Sequence, residues 1–267
     1  METKFKIAIL YICTGKYVFF WEEFYKSFEE KFLLKSQVEY FVFTDTPSIY
    51  GEDANARIHR IYQENLGWPG NTLFRFKMFN SIRETLEKFD YCFFFNANII
   101  CVENICEEEF LPLNNDLLVV QHPGYYNKNI FRLPYERNKK SKACIPWGKG
   151  NVYVYGAING GQSRAFLNMV DFLEKNIQED LDNGIIAKWH DESQLNYYVW
   201  KNKNYRLLTP MYAYPEEMKL PFEEKIRILD KSRKIKLDKD KLLELEQRSI
   251  LKRIKRGLIK LWKKIRK

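Results

Sequence analysis

Several things are scarce in this 267-residue chain, and each scarcity excludes something. Its five cysteines, Cys13, Cys92, Cys101, Cys106 and Cys144, are odd in number, with no C-x-x-C pair and no metal-ligand spacing. That argues against a disulfide-stapled module or a structural zinc site, and the thiols read as reduced ones in a cytoplasmic protein. No apolar run approaches the ~18 residues of a membrane-spanning helix. The first apolar run, Ile7 to Cys13, has strand length and leads into Gly15-Lys16, which is no signal peptide. There is no internal repeat. Acidic residues are missing from one region only: Gln247 to the C-terminus holds ten Lys/Arg and no acid. The rest of the chain holds 34 bases against 35 acids, so the net charge of +9 describes the tail and not the body. A nucleic-acid-binding body would carry basic patches of its own.

What is present suits a sizeable core, with 45% hydrophobic and 16% aromatic residues. The length fits one large domain or two closely joined halves. Phe5 to Cys13, Val38 to Thr44, Arg57 to Tyr62 and Tyr91 to Phe95 read as strands. Helices are expected over Tyr17 to Phe32 and Asn71 to Phe89. This alternation predicts βαβ units and a largely parallel sheet in the first 100 residues. Leu117 to Gln121 is a further strand, and Tyr125 to Lys149 is expected to be loop. Val152 to Ile158 is a strand ending in the turn Asn159-Gly160-Gly161, and Arg164 to Gln178 is a helix. Another helix follows Trp189, capped by Asp191 or Ser193. Leu207 to Tyr214 is the last core strand.

Three stretches carry chemistry. The aromatic run Tyr91 to Phe95 stops at Asn96-Ala97-Asn98, two amides one residue apart. Asn tolerates turn geometry, so a plain turn explains the triplet. A ligand-binding edge at the carboxyl end of a central strand explains it too. Trp189-His190-Asp191-Glu192 sets two carboxylates beside a His and a Trp at a helix start. Acids there favour the helix dipole; equally, carboxylates act on anomeric carbons, with an aromatic face for the sugar ring. His122-Pro123-Gly124 is either a turn bonded to backbone or a substrate contact. If a diphosphate binds near the amides, its charge needs Lys or Arg, and Arg75 and Lys231 are candidates. In the tail, Ile250, Ile254, Leu258, Leu261, Trp262 and Ile265 form one helical stripe surrounded by bases. That pattern suits an anionic membrane surface.

These pieces occur in an order that resembles glycosyltransferase family 6, the family of the histo-blood group A and B transferases. The carrying residues are Thr14 to Tyr17 (TGKY), Val42 to Asp45 (VFTD), Arg75, the Asn96 triplet, His122 to Gly124, Tyr135-Glu136-Arg137, Gly156 to Gly161 (GAINGG) and Trp189 to Asn196 (WHDESQLN). The resemblance implies a GT-A fold of the α/β class. One Rossmann-like nucleotide-sugar-binding domain with a mixed sheet would span residues 1–235, with a UDP half to residue 120 merged with an acceptor half. Residues 236–267 would form the basic tail. It also implies retaining α1,3 transfer of Gal or GalNAc from a UDP-sugar.

Carried over by position, Ile12, Cys13, Thr14 and Tyr17 surround the uridine. Arg75 and Asp191 hold the donor sugar with His190 near, and the amides Asn96 and Asn98 flank Ala97 at the diphosphate. Tyr155, Gly156 and Ala157 fall where the family selects Gal or GalNAc. Lys231 grips the diphosphate. His122, Pro134, Trp189 and Glu192 contact the acceptor, and Glu192 falls on the family's nucleophile. There are three departures. The family's metal-binding Asp-x-Asp is Asn-x-Asn here, an acceptor-contacting Asp aligns with Pro215 so that Glu216 is a stand-in, and an N-terminal membrane anchor is missing. These fit a bacterial, cytoplasmic, metal-independent enzyme with no cofactor beyond its UDP-sugar, its tail allowing attachment to the inner membrane. The expected reaction is GalNAc transfer from UDP-GalNAc to a fucosylated galactoside. The alternatives are UDP-Gal as donor, or a non-catalytic glycan-binding protein on a membrane. Nucleic acid is not an expected partner.

Overall fold

A computed structural model describes residues 5–232, so the tail and its proposed membrane helix lie outside the described residues. The first half is built as the apolar runs dictate. Strand β1 (Lys6–Ile12) leads through a 3-10 turn, Gly15–Phe20, into α1 (Trp21–Lys31), so the helix expected from Tyr17 begins four residues later. β2 (Gln37–Thr44) and β3 (Ile58–Tyr62) follow. The helix expected over Asn71 to Phe89 is instead three short ones, α2 (Gly67–Leu73), α3 (Arg75–Asn80) and α4 (Arg83–Leu86). They break at Phe74 and Ile82, which leave helical geometry. The break at Phe74 stands just before Arg75, which is buried.

β4 (Tyr91–Phe95) is buried along its whole length, and β5 (Ile99–Cys101) follows the amide triplet. A one-turn helix, α5 (Glu107–Phe110), precedes β6 (Leu117–Gln121). β7 (Val154–Gln162) runs straight through Asn159-Gly160-Gly161, where a turn was expected. The glycines serve close approach: a Cβ on Gly160 would sit 2.3 Å from the Cys92 carbonyl, and one on Gly161 would sit 2.3 Å from that of Asp116. α6 (Ser163–Asp182) and α7 (His190–Lys201) cover one face of the sheet. β8 (Tyr205–Leu208) ends before a 3-10 turn at Pro210–Ala213, so Leu207 to Tyr214 is not one strand. Pro210 cannot donate to a ladder, which explains the break. β9 (Tyr214–Pro215) and β10 (Ile226–Ile228) join β5 in a separate three-stranded sheet.

The main sheet among the described residues has seven strands in the order β3-β2-β1-β4-β7-β6-β8. β1 to β4 are mutually parallel, and β7 is antiparallel to both its neighbours. One core, against α1, is aromatic: Phe24 and Phe28 stack at 4.1 Å and Phe28 meets Phe95 edge-on at 4.9 Å. The opposite core packs Phe79, Phe94 and Phe166 under α3 and α6. The loop after β6 is held by Tyr135-Glu136-Arg137. Tyr135 donates to the Val152 carbonyl at 2.5 Å, Glu136 accepts from Asn138 and Lys188 N–H groups at 2.7 Å, and Arg137 donates to the Ile145 and Pro146 carbonyls at 2.6 Å. Among the described residues no helix is long and apolar enough to cross a membrane.

Candidate active site

The carboxyl ends of β1 and β4 open into a cavity of roughly 590 Å³, where open α/β sheets place their ligands. Ile12, Thr14, Tyr17, Arg75, Asn96, Tyr155, Gly156, Ala157, Trp189, His190, Asp191, Glu192 and Lys231 all line it, so most of the expected donor residues are brought together. Further lining residues include Lys16, inside the TGKY motif, and Asn65, Trp68 and Asn71, to which the sequence attached no site role. Lys16 comes from the 3-10 turn after β1, Asn65 from the loop before α2, and Trp68 and Asn71 from α2 itself, and these segments fold onto one another. Asn71 donates to the Thr14 hydroxyl at 2.9 Å and to Asn65 at 3.0 Å. Trp68 meets His190 edge-on at 5.1 Å. His190 itself has φ +50°, an uncommon conformation for a residue with a side chain and one that gathers at functional sites.

The floor is made by α7 and a bulge in β7. Val119 of β6 pairs with Asn159 and Gln121 pairs with Val154, so four β7 residues, Tyr155 to Ile158, stand against Val120 alone. Bulges of this kind re-aim a strand at a site, and here three of the four line the cavity. Asn196 fastens α7 to the strand just before the bulge. Its amide exchanges two hydrogen bonds of 2.9 Å with the Val154 backbone and also donates to the Glu192 carbonyl at 2.8 Å. The start of α7 is not capped by Asp191 or Ser193 as expected: Trp189 is the cap, and Ser193 Oγ accepts its N–H at 3.0 Å. Asp191 is thereby free to pair with Arg75 at 3.0 Å, both side chains being buried. Arg75 lies over the Phe94 ring at 4.3 Å and donates to the Gly156 carbonyl at 3.1 Å. Glu192 Oε2 accepts the Gly156 N–H at 2.8 Å.

Burial sets the electrostatics. It pushes the Glu192 carboxyl up to about 7, while the Gly156 N–H and then the Tyr153 hydroxyl pull it back. Asp191 rises to about 6 by burial, opposed by the Arg75 charge. The Tyr153 hydroxyl is buried close beside Glu192. His122 and His190 fall to about 4, so both imidazoles are neutral at pH 7. Lys231 stands 5.4 Å from the Tyr17 ring, and burial, then the Arg75 charge, lowers it to about 8. Neighbouring carboxyls that need protons at different pH, beside two cations, suit attack at an electrophilic carbon bearing an anionic leaving group.

Other expected residues sit elsewhere. The Cys13 side chain is in the aromatic core, with burial raising its thiol to about 12. Ala97 is buried, its carbonyl accepting from Tyr11 at 2.8 Å. Asn98 turns from the cavity and donates to the Leu229 carbonyl at 2.6 Å, and Asn96 donates to Asn98 at 3.1 Å. An amide pair spent this way does not fit a hard divalent cation, which prefers free carboxylates. Among the described residues no cluster of three or more His, Cys, Asp or Glu side chains could hold a metal. His122 packs on Tyr155 at 4.7 Å, and its Nδ1 accepts the Gly124 N–H at 3.0 Å. Pro134 lies half-buried in the loop after β6, away from the cavity lining. Glu216 accepts the Asp230 N–H at 3.0 Å and so braces the segment leading to Lys231.

Residues 1–240 match the model of Glycosyltransferase family 6. An Escherichia coli protein, "O-antigen biosynthesis glycosyltransferase WbnI", is 38% identical over 85% of this chain and 95% of its own length. A chicken "Globoside alpha-1,3-N-acetylgalactosaminyltransferase 1" is 29% identical over 84% of this chain and 66% of its own. A rat "Histo-blood group ABO system transferase 2" is 28% identical over 79% and 64%. The chain thus spans about two thirds of these animal relatives and nearly all of the bacterial one.

Proposed function

The chain belongs to glycosyltransferase family 6, and we propose that it is a retaining α1,3-N-acetylgalactosaminyltransferase that moves GalNAc from UDP-GalNAc to a galactoside fucosylated at O2, without a metal ion. One observation carries this reading: the Glu192 carboxylate, held by the Gly156 N–H at 2.8 Å, lies in the floor of a cavity whose wall bears the Arg75–Asp191 pair and Lys231. Uridine packs at the Ile12, Thr14 and Tyr17 end. The diphosphate lies against Lys231, Arg75 and the Asn96 amide, whose donors offset its charge from fixed positions. Glu192 attacks C1 as the C1–O bond breaks and the electron pair departs with UDP. The acceptor 3-hydroxyl then displaces the carboxylate, losing its proton to the departed phosphate. Two displacements on opposite faces retain the α configuration.

The names of the relatives support the chemistry: one is an O-antigen glycosyltransferase, and another is named for α1,3 GalNAc transfer. The basic stripe after Gln247, outside the described residues, suits attachment to the inner face of a bacterial membrane. The test offers UDP-GalNAc and UDP-Gal together to 2′-fucosyllactose in excess chelator, with NMR of the product. An α1,3-linked GalNAc product is expected. A galactosyl product would reassign the donor, a β linkage would overturn retention, and activity restored only by Mn²⁺ would overturn metal independence.

A further inference from the structure

One buried polar side chain in β7 has no part in the reaction above. Asn159 is 1% exposed and pairs with Phe94 of β4 and Val119 of β6. Its amide nitrogen donates to the Gly156 carbonyl at 3.2 Å, three residues back along the same strand. Arg75 donates to that same carbonyl, and the N–H of Gly156 holds Glu192. A single residue therefore grips the arginine on one side and the carboxylate on the other.

Gly156 needs to be held. It lies inside the bulge, where the ladder to β6 is interrupted. A Cβ there would lie 3.1 Å from the Glu192 Cβ and 3.3 Å from its carboxylate oxygen, so any larger residue would push the Glu192 side chain aside by a few tenths of an ångström. Glycine is also the residue with the widest backbone freedom. Asn159 is placed to remove that freedom. Only the nitrogen end of its amide can face a carbonyl, which fixes its orientation. The oxygen end is left buried without a partner among the described residues, as is Arg75 Nε. A leucine of similar size would avoid that unmet acceptor, so the amide is not there for packing alone.

We propose that Asn159 is a positioning residue: by locking the Gly156 carbonyl it keeps the N–H on Glu192 and the arginine over the donor sugar in one rigid arrangement. Its consequence for turnover rests on the transferase reading, whereas its hold on Glu192 does not. The charged and titratable groups facing Glu192 are Asp191 on its own helix, Arg75 on α3, Tyr153 and Tyr155 at β7, and Tyr125 from the loop after β6. An apolar residue in place of Asn159 changes the charge of none of them.

The test is Asn159→Leu in the full chain, with Asn159→Met, a flexible apolar side chain without an N–H, as a second variant. The Glu192 carboxyl is titrated by ¹³C NMR in glutamate-labelled protein, its signal assigned by its loss in Glu192→Gln. Losing a firmly held donor should raise the midpoint by about half to one pH unit in both variants. The turnover number should fall about ten- to hundredfold, as for a small misplacement of reacting groups, while the donor KM stays within about threefold. The melting temperature of Asn159→Leu should not fall. A folded Asn159→Leu protein with an unmoved Glu192 midpoint and wild-type turnover would overturn the proposal. So would a lowered melting temperature with the midpoint unmoved, which marks a merely structural residue. If no sugar nucleotide supports transfer, the transferase reading fails, and the titration still decides the role of Asn159.

Discussion

The two halves of the central sheet are built on different terms. β1 to β4 are parallel, in register without interruption, and packed on aromatic side chains on both faces. β7, antiparallel between β4 and β6, gives up its pairing to β6 over Tyr155 to Ile158, and Tyr155, Gly156 and Ala157 line the cavity. The first half places the loops at the β1 end of the cavity; the second places the carboxylates. The aromatic packing lies in the first, whereas at β7 and the α3 side chain that meets it Asn159 Oδ1 and Arg75 Nε have no hydrogen-bond partner among the described residues. That separation matches the general expectation that rules of packing are broken at sites of function.

Perturbing each half should give effects of a different kind. The largest is expected for Arg75→Ala, which leaves Asp191 buried without its partner and, on the proposed reading, the donor sugar without its clamp. kcat/KM should fall by about 10³ or more if Arg75 holds the donor in the transition state, and separately the fold should lose roughly 3–5 kcal/mol because one member of a buried charge pair is left alone. A loss under tenfold would separate Arg75 from the reaction. Next is Phe95→Ala in the aromatic core, where the ring touches Phe24, Phe28 and Phe32. Urea unfolding should show a loss of about 3–5 kcal/mol with UDP affinity unchanged in the folded protein. Equal damage to binding would mean the halves are not independent.

The smallest effect has the opposite sign. The Glu192 carboxyl titrates near 7 in the folded chain against about 4.5 when unfolded. The folded state thus holds the extra proton between those values, and stability falls as pH rises through that window. Glu192→Gln removes this penalty, so the variant should exceed the wild type by about 2 kcal/mol at pH 8, the difference vanishing near pH 4. The side chain is partly solvent-accessible, which holds the figure below the full shift. A variant less stable than wild type at pH 8 would refute the buried-charge picture.

The legible parts of the sequence were those governed by periodicity. Tyr91 to Phe95 is a strand with the expected bounds, because an apolar run ended by polar residues has few other uses. The motif Trp189 to Asn196 puts four residues in the cavity lining, and Asn196 ties the helix to β7. Long-range crowding was not legible. Asn159-Gly160-Gly161 reads locally as a turn, yet the glycines admit the backbones of β4 and β6. Likewise the Asn96 triplet contains the right residues, but only the fold shows that Asn98 faces Leu229 and Asn96 faces the cavity. Asn65 and Trp68 were invisible because their loop reaches the site through contacts remote in sequence.

The account stands most directly on the role of Glu192, and turnover by Glu192→Gln at saturating UDP-GalNAc in chelator tests it, alongside UDP calorimetry. A fall of about 10³-fold or more, with the UDP dissociation constant within about threefold of wild type, is the expected result for a group that acts only on the transition state. Turnover close to wild type would show that the carboxylate in the cavity floor does not attack the sugar.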